Sequence, residues 1–174
     1  MNLLGVNLLD LAEQRRTHKA FGPDPVPRET LLEILGAARF APTHHMTEPW
    51  RFRVLGPETL AALKEVAGEK ESAKLDRAPT LVLATAALSG DLVSDEEDVC
   101  ATAAAIELAL LAATERGLAT YWRTPQVLRT PPGRDAVGIP AGERFLGLLH
   151  LGTPAREPAP RERRPVDSYV EFLG

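Results

Sequence analysis

The stretch from Ser94 to Gly117 limits what this chain can fold into more than any other feature. Ser94 and Glu97 give the S-x-x-E signature of a helix start, and Gly117 supplies a left-handed stop. Between them alanine and leucine fall on nearly every side. A helix that is apolar all round cannot lie on a solvated surface, so it runs through the centre of a domain or into a subunit interface. Glu107 interrupts the apolar region, which is too short to span a bilayer. The fold must be built around one long helix or assembled across it.

The remaining segments supply the partners of that helix. From Asn7 to Arg16, Leu8, Leu9, Leu11 and Ala12 recur with helical spacing. Pro23, Pro25 and Pro27 hold the chain extended, and Glu29 to Phe40 reads as an amphipathic helix that stops before Pro42. Arg51 to Leu55 alternates as a strand does and ends at Gly56-Pro57, after which Thr59 to Lys74 returns to helical spacing. Thr80 to Ala86 is β-rich and apolar throughout, the pattern of a buried central strand. Strands at Ala119 to Arg123 and Phe145 to Leu151, with a short helix at Gly133 to Val137, complete the core pattern. Ala155 to Arg164 is rich in proline and arginine and has no core pattern. Helices and strands mix without regular βαβ alternation, so the expected class is α+β, as one domain over residues 1–174.

Bulk properties remove several function classes. A formal charge of −4 with dispersed acidic residues argues against nucleic acid as the main partner, because phosphate binding needs a basic stripe. The single cysteine, Cys100, forms no intrachain disulfide and belongs to no zinc pattern, which fits a reducing cytoplasm. The leading residues place their positive charge after the apolar stretch, the reverse of a secretory signal. The expectation is a protein that works neither on nucleic acid nor in a membrane.

No GxGxxG, P-loop, GxSxG or HExxH motif occurs. Four local groups stand out: Arg15-Arg16-Thr17 with Lys19; the run Ala41 to Trp50; Tyr121-Trp122-Arg123-Thr124; and Arg161, Arg163 and Arg164. Each has a bland explanation of its own. Arginines at a helix C-terminus complement its dipole, His44 and His45 suit a turn, Trp50 and Trp122 suit a core, and a basic tail suits a solvated surface.

The ordered combination resembles a known family. "RRTHKAF", "APTHHMTEPWRF", "ERGLATYWRT" and "LGLLHLGTP…RRPVDSYV" follow one another in the order and spacing of the nitroreductase family, closest to its short YdjA-like bacterial members. The resemblance implies a central, mostly antiparallel sheet flanked by helices, with the long buried helix at a dimer interface. It implies a homodimer with FMN at that interface, electrons drawn from NAD(P)H, and a small electrophilic acceptor such as a nitroaromatic or a quinone. Residues 155–174 become a tail packing on the partner subunit.

It also implies roles for particular residues. Arginine binds a phosphate through a forked pair of donors and never loses its charge. Arg15 and Arg16 match the motif for the FMN phosphate and the flavin edge, with Thr17 donating a hydroxyl and Arg163 or Arg164 as a second phosphate ligand. Lys74, with Lys70 as the alternative, is the cation for the pyrimidine edge of the flavin. Trp122, Arg123 and Thr124 match the segment along the flavin, and His44 and Glu48 match the segment that reaches the partner's flavin. Glu48 stands where the family commonly has glutamine, and an ionised carboxylate only accepts hydrogen bonds. No acid or base is required of the protein, so no catalytic side chain is expected.

Two rival readings remain. One is a flavin- or nucleotide-binding module without redox turnover. The other is a metal-dependent hydrolase using His44, His45 and Glu48, although neighbouring histidines in an extended run point to opposite sides and no further ligand has matching spacing.

Overall fold

A computed structural model describes residues 7–174; residues 1–6, which include the start of the leading stretch, lie outside the described residues. Four strands form one sheet: β1 (Trp50–Val54), β2 (Thr80–Ala87), β3 (Ala119–Arg123) and β4 (Glu143–Gly152). Their order is β1-β2-β4-β3, and every pairing is antiparallel. This is the α+β arrangement expected from the sequence, with helices on both faces.

Burial on both faces explains why β2 is apolar without alternation. On one face Val82, Ala84, Leu149 and Leu151 pack against α2 (Arg28–Gly36) and the long helix α5 (Leu92–Glu115), through Leu31, Ile34, Ile106 and Leu110. On the other, Leu81, Leu83 and Leu148 meet Leu63 of α3 (Pro57–Ala67), Leu75 of α4 (Glu69–Leu75), and Leu128 and Ile139 around α6 (Pro131–Ala136).

The long helix differs from expectation at its start. Its cap is Asp91, whose carboxylate accepts from the Ser94 N–H at 2.9 Å, so Ser94 lies inside the helix. Asp and Ser are both good caps, and the extended backbone at position 91 decides between them. The C-terminus ends as predicted. Gly117 takes φ +71°, its N–H reaches Thr114 O at 2.9 Å and Leu118 N–H reaches Ala113 O at 3.0 Å, the paired bonds of a Schellman stop. Ala105, Ala109 and Ala113 give the stripe that faces the sheet and the short 3-10 turn Ala37–Phe40, whereas Cys100 is exposed and Ala103, Ala104, Glu107 and Leu108 are half-buried. The side of α5 that carries these residues is the less covered one.

The helix expected over Thr59 to Lys74 is two helices. Gly68 between them sits at φ +71°, which glycine adopts without steric penalty. Apolar spacing continues through both halves, so periodicity alone does not reveal the break.

Candidate binding cleft

The segment after α1 (Leu8–Gln14) is fixed by backbone bonds to the end of the sheet. Thr17 bridges Thr120, and the His18 N–H donates to Thr120 O at 2.9 Å. The chain then crosses beneath β4: Gly22 N–H donates to Thr153 O at 2.8 Å, and Ala155 N–H donates to Ala20 O at 3.3 Å. These bonds set Arg16, Thr17 and Lys19 opposite Arg156, Arg161 and Arg163, around a cleft of about 560 Å³. Pro158 and Pro160 keep the far wall extended. Five cations and no carboxylate line it. Five gathered cations repel one another until an anion joins them, and an arginine fork suits a phosphate.

The other predicted residues fall in three places. Arg15 turns away from the cleft and its Nε meets Glu107 Oε1 of α5 at 3.1 Å. Arg16 donates back to Glu13 O and, at 3.0 Å, to Arg15 O, which holds its guanidinium at the rim. Arg164 is exposed and lies outside the cleft lining, as does exposed Thr124 at the end of β3. The Trp122 indole belongs to the core: its Nε1–H donates to Leu146 O at 3.0 Å and the ring covers Gly147.

Arg123 and Lys74 meet at a second cluster. Glu71, on α4, pairs with Arg123 Nη2 and lies 3.4 Å from Lys74 Nζ through its other oxygen. Lys70 is exposed. Only 10% of the Arg123 side chain is exposed, and its Nη1 is buried with no hydrogen-bond partner among the described residues. Burial pushes the Arg123 pKa below its ordinary value. His150 on β4 is fully buried between Tyr121 and Phe21, with ring centroids 5.6 and 6.4 Å away, and neither ring nitrogen has a partner among the described residues. Burial first, then the charges of Arg123 and Arg77, lower its pKa to about 4.

His44 and Glu48 lie on a third surface, at the start of α5. His45, Met46 and Glu48 all have positive φ, at 48°, 55° and 44°, a costly backbone for residues other than glycine. Thr47 secures the loop by donating to the buried Asp98 at 2.6 Å, and Thr43 Oγ1 accepts from Glu48 N–H at 3.2 Å. His44 lines a shallow pocket of about 410 Å³ with Glu97 and Cys100, its Nε2 3.9 Å from Glu97 Oε2. The Glu48 side chain is exposed. Among the described residues no three His, Cys, Asp or Glu side chains form a group able to hold a metal ion.

Sequence reasoning assigned no role to Lys19, Arg156 or Arg161, which line the cleft, or to Glu71 and His150. Lys19 and Arg161 stood within groups already singled out. A histidine inside the apolar run Phe145 to Leu151 was a visible oddity. Glu71 carried no signal, since a carboxylate on a charged helix reads as a solvated face.

Comparison with known proteins places this geometry. The model of the Nitroreductase family matches residues 12–72 and 63–153. YfhC of Bacillus subtilis, provisionally assigned as an NAD(P)H nitroreductase, is 28% identical over 182 residues, covering 95% of this chain and 94% of its own length. The crystal structure of a nitroreductase-like family protein from Bacillus cereus superposes with a TM-score of 0.88 at 24% identity, covering 97% of this chain and 96% of that one. A nitroreductase-type protein from Desulfovibrio desulfuricans, solved in complex with FMN, superposes with a TM-score of 0.82 at 23% identity, covering 95% and 96%. Among the described residues no helix is long and apolar enough to cross a membrane.

Proposed function

Because the chain belongs to the nitroreductase family, we propose that it is an FMN-dependent oxidoreductase carrying electrons from NAD(P)H to a small electrophilic acceptor such as a nitroaromatic or a quinone. The observation that carries this reading is the cleft, where Arg16, Lys19, Arg156, Arg161 and Arg163 converge without a carboxylate. FMN brings a phosphate that such a cleft would neutralise, and the orphaned Arg123 Nη1 offers a further buried donor.

When bound, FMN supplies reversible two-electron chemistry. The protein's own part is binding and orientation. Arg16, Thr17 and Arg163 hold the phosphate, with Lys19, Arg156 and Arg161 adding charge. Arg15 ties this loop to α5 through Glu107. No side chain is assigned a nucleophilic or acid-base role.

The working unit in this reading is a homodimer. The half-buried apolar residues of α5 and the exposed Val166, Tyr169 and Phe172 of the tail give a second copy something to cover. His44 and Glu48, set apart from the cleft of their own protomer, serve the partner's site. Cytoplasmic residence fits an exposed free thiol at Cys100.

The test is the absorption spectrum of the purified protein before and after anaerobic NADH or NADPH. A yellow protein bleached by either donor supports the proposal. A yellow protein that neither bleaches points to a redox-silent flavoprotein, and a colourless one that takes up no added FMN overturns the reading.

A further inference from the structure

Elsewhere in the molecule Arg15, Arg53, Arg116, Arg123, Lys64 and Lys74 each meet a carboxylate. The five cations that line the cleft do not, among the described residues. Glu157 and Glu162 stand among the tail's arginines, yet both are exposed and neither lines the cleft. A phosphate monoester carries about two negative charges at neutral pH, so seating FMN leaves about three of the five positive charges unmatched. The backbone also sets these cations apart. Arg16 and Thr17 lie beside Thr120, which bridges Thr17 and approaches Arg16 O through its hydroxyl. Lys19 and Arg156 instead flank the bond from Ala155 N–H to Ala20 O, one on each wall, and Arg161 adds a further charge from the tail.

We propose that Lys19, Arg156 and Arg161 form a second phosphate subsite, for the adenosine 2′-phosphate that NADPH carries and NADH lacks, so that the cleft selects the phosphorylated donor. This rests on the flavin reading, which gives Arg16, Thr17 and Arg163 to the first phosphate. The nicotinamide donor is the other phosphate-bearing molecule that the proposed reaction requires, and its two forms differ only in that group. Cations gathered in a cleft raise the local concentration of an anion and hold it by charge-assisted bonds, arginine as a fork and lysine as a point charge. A donor without the 2′-phosphate leaves Lys19, Arg156 and Arg161 unopposed and binds less tightly.

The experiment uses the FMN-loaded full chain and measures by calorimetry the binding of 2′,5′-ADP and 5′-AMP, which differ by the 2′-phosphate, with inorganic phosphate as a control. Wild type is expected to bind 2′,5′-ADP at least about tenfold more tightly than 5′-AMP, the scale of one charge-assisted contact, and this preference should shrink in high salt. Combining Lys19→Gln with Arg156→Gln should bring the ratio near one, and Arg161→Gln should lower it. Arg28→Gln, which removes an exposed cation of α2 outside the cleft lining, should leave the ratio as it is. Flavin fluorescence is followed in the same titrations, because FMN released by 2′,5′-ADP would show two ligands competing for one phosphate pocket. The proposal is overturned by that release, by equal or absent binding of the two nucleotides to wild type, by inorganic phosphate binding as tightly as 2′,5′-ADP, or by a ratio that survives the double substitution. Failure of the flavin reading is seen separately, as wild-type protein that takes up no FMN, and the proposal falls with it.

Discussion

Arg53 and Glu143 join β1 to β4 across the strand that separates them. Arg53 donates twice to the carboxylate, at 2.7 Å each, and Thr85 of the intervening β2 donates a third bond to Glu143 while accepting from Arg53 at 3.1 Å. The Glu143 side chain is 10% exposed and that of Arg53 32%, so the carboxylate is the shielded half of this clamp over the sheet.

Removing one half strands the other. Glu143→Ala is expected to lower folding stability by about 2 kcal/mol at neutral pH, the usual scale for hydrogen bonds to charged groups. The hydrogen bond from Arg53 holds the Glu143 pKa below its ordinary value of 4.5, so its contribution is present above that value and is lost as pH falls through the lower, folded one. Urea midpoints of wild type and variant should differ at neutral pH and converge in acid. A gap that stays constant would show that the clamp is not electrostatic.

His150 titrates in a different window. It is buried neutral, and its folded pKa of about 4 lies below the ordinary 6.5. The unfolded chain therefore binds the proton first as pH drops, and stability should rise by about 3 kcal/mol between the lower and upper of those values. His150→Leu should flatten this slope with little loss at neutral pH, since both ring nitrogens lack partners among the described residues. A slope that survives the substitution assigns the acid sensitivity elsewhere.

Gly147 is fixed by the indole above it. A Cβ there would stand 2.1 Å from Trp122 Nε1 and 2.4 Å from its Cδ1, closer than real contacts allow. Gly147→Ala should push the ring off Leu146, break the Nε1–H bond and cost about 2 kcal/mol or more. Tryptophan emission should shift to the red as the indole meets water. Wild-type emission and stability in the variant would mean that the ring has room to move.

The tail contributes charge and little core. Deleting residues 156–174 removes Arg156, Arg161 and Arg163 from the cleft while touching no residue of the buried clusters. FMN affinity should fall at least about a hundredfold, the equivalent of two lost charge-assisted contacts, with the urea midpoint nearly unmoved. Light scattering on the same sample reports whether the dimer goes with it. Retained affinity would take the tail out of the site.

The strands were legible because burial on both faces leaves a mark in composition: β2 and β4 are apolar runs that no solvated segment would tolerate. Gly117 was legible because its left-handed stop follows a long helix. The break at Gly68 was hidden, since apolar spacing runs through it, and the cap at Asp91 was masked by an equally good Ser94. At the candidate site, Arg16, Thr17 and Arg163 stood in recognisable motifs and meet in one cleft. Arg15 shows the limit of that method, because a motif names neighbours and the backbone decides which of them turns toward Glu107. Glu71 lay beyond it altogether, because its partners are distant in sequence or read as ordinary helix neighbours.

The cleft has one wall before the sheet in sequence and the other after it, so order of synthesis matters. Arg16 and Lys19 emerge first and wait, unopposed, while all four strands are made. Only when β4 has closed on β2 and β3 do Thr153 and Ala155 fall into place and carry Arg156 to Arg163 across. In the proposed reading, the cleft can take the FMN phosphate only after this closure, and a cut in the exposed tail would open the cleft without touching the sheet.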